Sequence, residues 1–201
     1  MELILISLTG YLIGSIPFAY VIGKLFYRTD VREHGSGNLG GSNTGRVLGK
    51  KAGVTVMTLD LLKVTLVVCL AGRLCTHPGA VALGGLSAGL GHCYPVFAQF
   101  RGGKAVAAMY GFLFGLWIFV GYSPLTFFLP LVTFLTILFL FKIVSLSSMV
   151  SALAAAIYVC SAGSQPSVMV AIAAFAALIF IRHRTNIRRI LCGRENKIHW
   201  M

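Results

Sequence analysis

The sequence has few charged residues and very few acidic ones. Only 11% of its 201 residues are charged, with 5 Asp and Glu against 17 Lys and Arg. A soluble domain carries about 25% charged residues, whereas 57% of this chain is hydrophobic. No stretch is polar enough to form a separate soluble domain. The composition therefore predicts an all-α, polytopic membrane protein with a single domain over residues 1–201.

The sequence also lacks the features of a nucleic-acid-binding surface, although its net charge is +12. No basic segment is interleaved with aromatic residues on which bases could stack, so we expect no nucleic-acid partner. The charge instead fits cytoplasmic loops together with an anionic lipid or substrate.

No clustering is visible among the five cysteines and five histidines. The cysteines form no CxxC pair and the histidines are scattered along the chain. This spacing does not support a metal cluster, and we expect neither a metal nor another cofactor. Cysteines within apolar runs are typical of small buried hydrophobic side chains.

Seven apolar segments approach the roughly 20 residues that a helix needs to cross a bilayer. The N-terminus lacks the basic region of a signal peptide, so we expect the first segment to be retained, with a kink at Pro17. Residues 27–51 are too polar to cross, and residues 182–201 are predicted to form an interfacial helix and a loose end. The predicted spans are residues 3–26, 52–72, 79–98, 105–120, 125–141, 143–161 and 167–181.

Basic residues are distributed unequally between the two sides that seven spans would define. Of the 17 Lys and Arg, 15 lie on the side where the first, third, fifth and seventh spans end. The other two are Lys63, inside a span, and Arg73, on the opposite side. The positive-inside rule then places the basic side in the cytoplasm and the N-terminus outside. All the polar loops that could carry chemistry lie on the predicted cytoplasmic side.

The most polar of these loops is the glycine-rich stretch at residues 33–43. Glycines allow left-handed backbone angles and a close approach of the backbone to a ligand. Successive N–H groups in such a turn can converge on an anion. Arg46, Lys50 and Lys51 follow directly, so the sequence predicts a site for a small negatively charged group.

A second candidate anion site is Gly102-Gly103-Lys104. We expect it at a helix N-terminus, where free N–H groups and the helix dipole favour an anion. The spacing is not that of a Walker motif, and a lysine that merely anchors a helix at the membrane surface is the alternative. Ser145 begins a later helix on the same side, as an anion ligand or simply as an N-cap.

Three further groups have both a structural and a functional interpretation. Asp60 and Lys63 share one face of a span, where charges are either functional or paired with each other to hold helices together. His183 could act as a general base or a hydrogen-bond donor, or be a structural histidine. Glu195, an acid of the basic C-terminal segment, could orient one of its cations.

The chain resembles the bacterial acyl-phosphate:glycerol-3-phosphate acyltransferases, and the resemblance covers nearly its whole length. The sequence departs from the family pattern at Ala105, usually Gly, and at Ala108, usually Thr. The matching motifs are SGNLGGSN at residues 36–43 followed by Arg46 and Gly49, LDLLK at 59–63, GHCYPVF at 91–97, FRGGK at 100–104, HRTNI at 183–187 and GRE at 193–195.

This resemblance implies transfer of a fatty acyl group from acyl phosphate to glycerol 3-phosphate, giving lysophosphatidic acid and phosphate. The expected setting is the bacterial inner membrane, with a cytoplasmic active site, surrounding membrane lipid and a monomeric enzyme. The HxxxxD signature of acyl-CoA-dependent acyltransferases is absent, which disfavours that donor. Acyl phosphate has a good leaving group and does not require a strong base.

The roles expected from this resemblance are divided among phosphate binding, positioning and proton transfer. Lys104, Arg46 and the N–H groups of Gly102 and Gly103 would bind phosphate. Ser36 and the asparagines Asn38, Asn43 and Asn186 would position the glycerol hydroxyl. His183 or a substrate phosphate would accept its proton. Ser36 as a covalent nucleophile is less favoured because no base is paired with it. The candidate catalytic residues are Ser36, Lys104, His183 and Asn186, and the candidate binding residues are Gly37, Asn38, Gly40, Asn43, Arg46, Arg101, Gly102, Gly103, Ser145, Arg188 and Glu195.

A transporter for a small organic anion is the alternative function. Glycine-interrupted segments and basic residues suit such a protein. However, seven spans do not divide into equal repeats, and the polar residues gather at one side rather than at the bilayer midplane.

Overall fold

A computed structural model describes residues 1–198 of the chain. These residues form helices and connecting loops without a β-strand, which confirms the predicted all-α class. The helices are α1 (Glu2–Gly14), α2 (Phe18–Tyr27), α3 (Gly41–Leu48), α4 (Lys50–Leu74), α5 (Ala80–Cys93), α6 (Val106–Gly115), α7 (Leu125–Phe141), α8 (Val144–Ser161), α9 (Pro166–Arg182) and α10 (Arg184–Leu191), with a 3₁₀ turn at Val96–Ala98 and a π-helical turn at Leu116–Val120.

Each of the seven predicted apolar segments is helical. Four stretches are long and apolar enough to cross a membrane, namely Glu2–Tyr27, Lys50–Leu74, Ala80–Ala98 and Val144–Ser161. A fifth results if α9 and α10, which meet at 59°, form one span. Val106–Val120 and α7 are apolar but shorter. The seven-span topology and the orientation of the termini therefore stay predictions.

The helix bounds differ from the sequence-based ones where local chemistry intervenes. Residues 3–26 form two helices, because Pro17 has no N–H to continue the ladder and becomes the N-cap of α2. Helix α4 continues to Leu74, two residues into the predicted loop. Residues 41–48, part of the polar segment 27–51 for which no helix was predicted, form α3.

The core lies where α5 packs against its neighbours. A Cβ at Gly85 would overlap the ring of Phe112, and one at Gly89 would overlap Phe175. These two rings lie 5.4 Å apart, centroid to centroid, and both are fully buried. Helix α1 approaches the other side of α5, where Gly14 contacts the backbone of Ala88. Close packing through small residues is typical of membrane helices.

Candidate active site

A single cavity of about 600 Å³ collects most of the predicted site residues. Its wall is formed by the glycine-rich stretch before α3, by α3 and α4, by Lys104 and the α6 and α7 helices, by the start of α8 and by the junction of α9 with α10. The predicted residues that line it are Ser36, Asn38, Gly40, Asn43, Arg46, Lys104, Ser145, His183, Asn186 and Glu195.

The glycine-rich loop is held in shape by the side chain of Asn43. Its Oδ1 accepts the backbone N–H of Ser36 at 2.8 Å, and its Nδ2 donates to the carbonyl of Val31 at 2.9 Å. Gly35 and Gly37 have φ of 60° and 68°, which only glycine adopts without strain. Asn43 is 2% exposed and its amide is used within the loop. The structure thus shows Asn43 shaping the loop, and its predicted contact with a glycerol hydroxyl stays a prediction.

The segment Gly102-Gly103-Lys104 is not the helix N-terminus that the sequence predicts. Ala105 adopts a left-handed conformation and α6 begins at Val106. The N–H of Gly103 donates to the carbonyl of His92 at 2.9 Å, so the prediction that this N–H binds phosphate is wrong. A Cβ at Gly103 would overlap the His92 ring. The glycine allows this close approach.

The carbonyls of the same two glycines are also occupied. Arg182 donates from Nε to the oxygen of Gly103 at 3.0 Å and from Nη2 to that of Gly102 at 3.1 Å. Asn38 donates to the oxygen of Gly102 at 3.1 Å. The turn before Lys104 is therefore fixed from three sides by hydrogen bonds, and Asn38 links it to the glycine-rich loop.

Lys104 points into the cavity and begins a chain of hydrogen bonds. Its Nζ donates to Oδ1 of Asn186 at 2.5 Å, and Nδ2 of Asn186 donates to Glu195 at 2.5 Å. Burial lowers the pKa of Lys104 to about 8, and the carboxylate of Glu195 partly opposes that shift. Lys104 is thus still mainly a cation at neutral pH, placed at the wall of a cavity.

Glu195 joins the C-terminal segment to the cavity wall through hydrogen bonds. Its carboxylate accepts the hydroxyl of Ser145 at 2.8 Å and Nε of Arg189 at 2.7 Å, in addition to Asn186. Burial raises the pKa of Glu195, but the hydrogen bonds from Arg189, Asn186 and Ser145 outweigh it and leave the pKa below its usual value. The predicted orienting role of Glu195 agrees with these contacts.

The C-terminal segment is not a loose end as far as Ile198. The N–H of Ile198 donates to the carbonyl of Lys142 at 2.8 Å, and Lys197 and Ile198 line the cavity. Residues 199–201 of the predicted loose end lie outside the described residues. The N-cap of α8 is Ile143, so the N-cap alternative for Ser145 is wrong. The hydroxyl of Ser145 donates to Glu195 instead.

His183 lies at the bend between α9 and α10, and it is 3% exposed. Its Nδ1 is 2.8 Å from the carbonyl of Ile179. That contact assigns the proton to Nδ1 and leaves Nε2 as an acceptor. Burial, together with the nearby charge of Lys104, lowers the pKa of His183 to about 4. The ring is therefore neutral at physiological pH and is a weak base.

The sequence and structural relatives agree on one family. The sequence model of the family described as glycerol-3-phosphate acyltransferase matches residues 4–193. The chain belongs to the glycerol-3-phosphate acyltransferase family. The resemblance drawn from the motifs is thereby confirmed.

Individual relatives cover nearly the full chain. A glycerol-3-phosphate acyltransferase from Geobacillus kaustophilus is 48% identical over 196 residues, covering 98% of this chain and 96% of that protein. One from Listeria monocytogenes is 47% identical over 203 residues, covering 100% and 99%. The crystal structure of PlsY (YgiH), an integral membrane glycerol 3-phosphate acyltransferase, in its glycerol 3-phosphate form has a TM-score of 0.91. It is 36% identical, with 99% of this chain and 96% of that chain covered. Its lysophosphatidic acid form gives a TM-score of 0.89 at the same identity.

Some predicted residues of this acyltransferase lie away from the cavity wall. Arg101 and Arg188 are exposed, and the lining arginine of α10 is Arg189 instead. The helical turn rotates the side chain of Arg188 away from the cavity, which a linear motif does not reveal. The remaining residues that do not line the cavity are Gly37, Gly102 and Gly103.

Other lining residues were not selected as site candidates from the sequence. Asp60 and His92 line the cavity from α4 and α5, and Lys197 lines it from the C-terminal segment. The predicted pair of Asp60 and Lys63 is confirmed, with 2.8 Å between the carboxylate and the amine. The GH motif at residues 91–92 was the available signal for His92, whereas Lys197 had none.

Proposed function

We propose that this chain acylates glycerol 3-phosphate with acyl phosphate as the donor, and that the reaction takes place in the cavity around Lys104. The PlsY structures named above are glycerol 3-phosphate and lysophosphatidic acid forms, that is, forms with an acceptor and with an acylated product. Family membership and this overall similarity support the acylation of glycerol 3-phosphate by the present chain.

The observation that carries the proposal is the mixed chemistry of the cavity wall. Arg46, Lys104 and Lys197 supply cations for phosphate groups. The wall also contains apolar side chains of α6 and α7, among them Tyr110 and Phe134, whose rings meet edge to face with centroids 6.4 Å apart. A pocket with both surfaces suits substrates that carry a phosphate and, in one case, an acyl chain.

The reaction proposed here has one bond-forming step. The glycerol hydroxyl oxygen attacks the acyl carbonyl carbon, the bond from that carbon to the phosphate oxygen breaks, and phosphate leaves with the bonding electron pair. Lys104 and Arg46 stabilise the negative charge on the phosphate and the carbonyl oxygen. The hydrogen bond that the structure shows for Ser36 runs from its backbone N–H to Asn43 and leaves its hydroxyl without a paired base among residues 1–198. We therefore assign Ser36 a hydrogen-bond contact with the substrate hydroxyl rather than a nucleophilic role.

The hydroxyl proton has two acceptors, Nε2 of His183 and a substrate phosphate. Since the pKa of His183 is lowered to about 4, we assign the proton to a phosphate and an orienting role to His183. The variant His183→Gln keeps a hydrogen-bonding side chain without an imidazole. Near-normal turnover in this variant would support the assignment, whereas a loss greater than about a hundredfold, typical of a removed general base, would contradict it.

The donor is tested by product analysis with two acyl compounds. We expect the detergent-purified protein to form lysophosphatidic acid from glycerol 3-phosphate and palmitoyl phosphate, and not from palmitoyl-CoA. Product formed only from palmitoyl-CoA would overturn the donor while keeping the acyltransferase. If neither donor gave product but the protein carried glycerol 3-phosphate into vesicles, the organic-anion transporter would replace the proposal.

The proposal includes a cytoplasmic site in a seven-span monomer of the bacterial inner membrane, with the N-terminus outside. The distribution of Lys and Arg supports this orientation. Two native cysteines provide a test, because Cys160 lies in the last turn of α8, Cys192 follows α10, and both are exposed. An impermeant maleimide should label Cys192 only from the cytoplasmic side. Labelling from outside would contradict the orientation, and light scattering in detergent tests the monomer.

A further inference from the structure

A buried cluster of three ionisable side chains lies beside the cavity. Asp60 and Lys63 of α4 are 2.8 Å apart, and their side chains are 2% and 3% exposed. His92, at the end of α5, places Nδ1 3.5 Å from the same carboxylate oxygen. Isolated charges within an apolar span are strongly unfavourable, and ion pairs that are removed from water gain little net stability. Their presence therefore calls for a function beyond helix packing.

One end of the cluster is fixed to the break between α1 and α2. Nζ of Lys63 donates to the carbonyl of Ile16 at 2.8 Å, and the amine lies 5.6 Å from the ring centroid of Phe18. Ile16 precedes Pro17, where the helix is interrupted. Lys63 thus connects α4 to an interrupted span and holds Asp60 in a fixed position.

The other end of the cluster contacts the turn that carries Lys104. The ring of His92 packs directly on Gly103, whose Cβ position it occupies, and the carbonyl of His92 accepts the N–H of Gly103 at 2.9 Å. Lys104 is the next residue and donates to Asn186. A rotation of the His92 ring would therefore move the backbone next to the proposed phosphate-binding lysine.

We propose that Asp60, Lys63 and His92 are positioning residues that fix the Gly102-Gly103 turn and thereby place Lys104 for acyl transfer. This inference rests on the proposed function. None of the three residues is assigned a contact with the reacting atoms. A displacement of about 1 Å at a reacting group can lower a rate about a hundredfold, so fixation of this turn matters for catalysis.

Two substitutions of His92 separate positioning from other roles. His92→Asn places an amide near the original Nδ1, where it can donate to Asp60, whereas His92→Leu keeps bulk and loses the contact. We expect His92→Leu to lower kcat about tenfold to a hundredfold. His92→Asn, which restores the contact with Asp60 but not the ring on Gly103, should recover part of that loss. His77→Leu, at an exposed histidine of the distant α4–α5 loop, is the matched control and should keep the wild-type kcat.

The possible outcomes distinguish failure of this proposal from failure of the proposed function. Equal losses in His92→Asn and His92→Leu would contradict the proposal, because the contact between residue 92 and Asp60 would then make no difference to the rate. Unchanged kcat in His92→Leu would contradict it as well. Wild-type protein without turnover on either acyl donor would instead contradict the proposed function. Size-exclusion profiles and thermal midpoints establish that the variants are folded.

A combined variant tests whether the three side chains act together. Asp60→Leu/Lys63→Leu removes both charges, which avoids leaving one of them buried and unpaired. We expect this double variant to lower kcat as much as His92→Leu does. Adding His92→Leu to the double variant should lower kcat little further. If the fold-losses in kcat of the double variant and of His92→Leu multiplied in the triple variant, the residues would act independently. That result would contradict the proposal, since residues that act as one unit have non-additive effects.

Discussion

The packing of α3 on α4 leads to a sharp prediction about Gly53. A Cβ added there would lie 2.6 Å from Cα of Gly45 and 2.8 Å from the carbonyl oxygen of Gly41. Ordinary van der Waals contact begins at 3.4 Å, so Gly53→Ala must move α3 away from α4 by about 0.8 Å in this close-packed region. Helix α3 carries Arg46, and it follows directly after the glycine-rich loop.

Gly53→Ala should therefore lower both stability and activity. Overpacking of this kind costs about 1–3 kcal/mol, and a shift of nearly 1 Å at Arg46 should reduce kcat/KM by about tenfold to a hundredfold. The matched control is Gly45→Ala, whose Cβ would come no closer than 3.5 Å to Gly53. In a helix, alanine is favoured over glycine by about 0.5–1 kcal/mol, so this control should be neutral or slightly stabilising.

The assay for both variants combines the thermal midpoint in detergent with the rate of phosphate release. We expect a lower midpoint and rate for Gly53→Ala, and wild-type values or better for Gly45→Ala. Equal behaviour of the two variants, or a wild-type rate in Gly53→Ala, would refute the packing argument.

Three further predictions concern single side chains of the site. The kcat/KM of the wild type should fall above about pH 8 as Lys104 loses its proton, and Lys104→Arg, which stays charged, should remove that alkaline limb if it retains activity. Asn43→Ala should destabilise the fold by about 1–3 kcal/mol because it leaves buried backbone groups unpaired, whereas the exposed Ser42→Ala should not. Glu195→Ala should raise KM for glycerol 3-phosphate through loss of its contact with Asn186, and a KM equal to that of the exposed control Arg194→Ala would contradict this role.

The sequence predicted the apolar helices because their length and composition alone determine them. The exception was α3, whose segment GSNTGRVL contains two glycines and little helix propensity. Its helical state depends on contact with α4 through Gly41, Gly45 and Gly53. Such tertiary stabilisation has no local signal, so no helix was predicted at residues 41–48.

The site was predicted in outline but not in its hydrogen bonds. Motifs located Lys104, His183, Asn186 and Glu195, and the structure brings them to one cavity. A glycine pair before a lysine suggested free N–H groups, yet the N–H of Gly103 is occupied by His92 from a different helix. Whether a backbone group is free for a ligand depends on the neighbours that the fold supplies, which spacing along the chain does not reveal.

The release of phosphate from palmitoyl phosphate by the purified protein tests the central claim most directly. We predict release that requires glycerol 3-phosphate, that is lost in Lys104→Ala, and that persists in Arg101→Ala, since Arg101 is exposed outside the cavity. Release that does not depend on glycerol 3-phosphate, or a folded Lys104→Ala variant with the wild-type rate, would contradict the account.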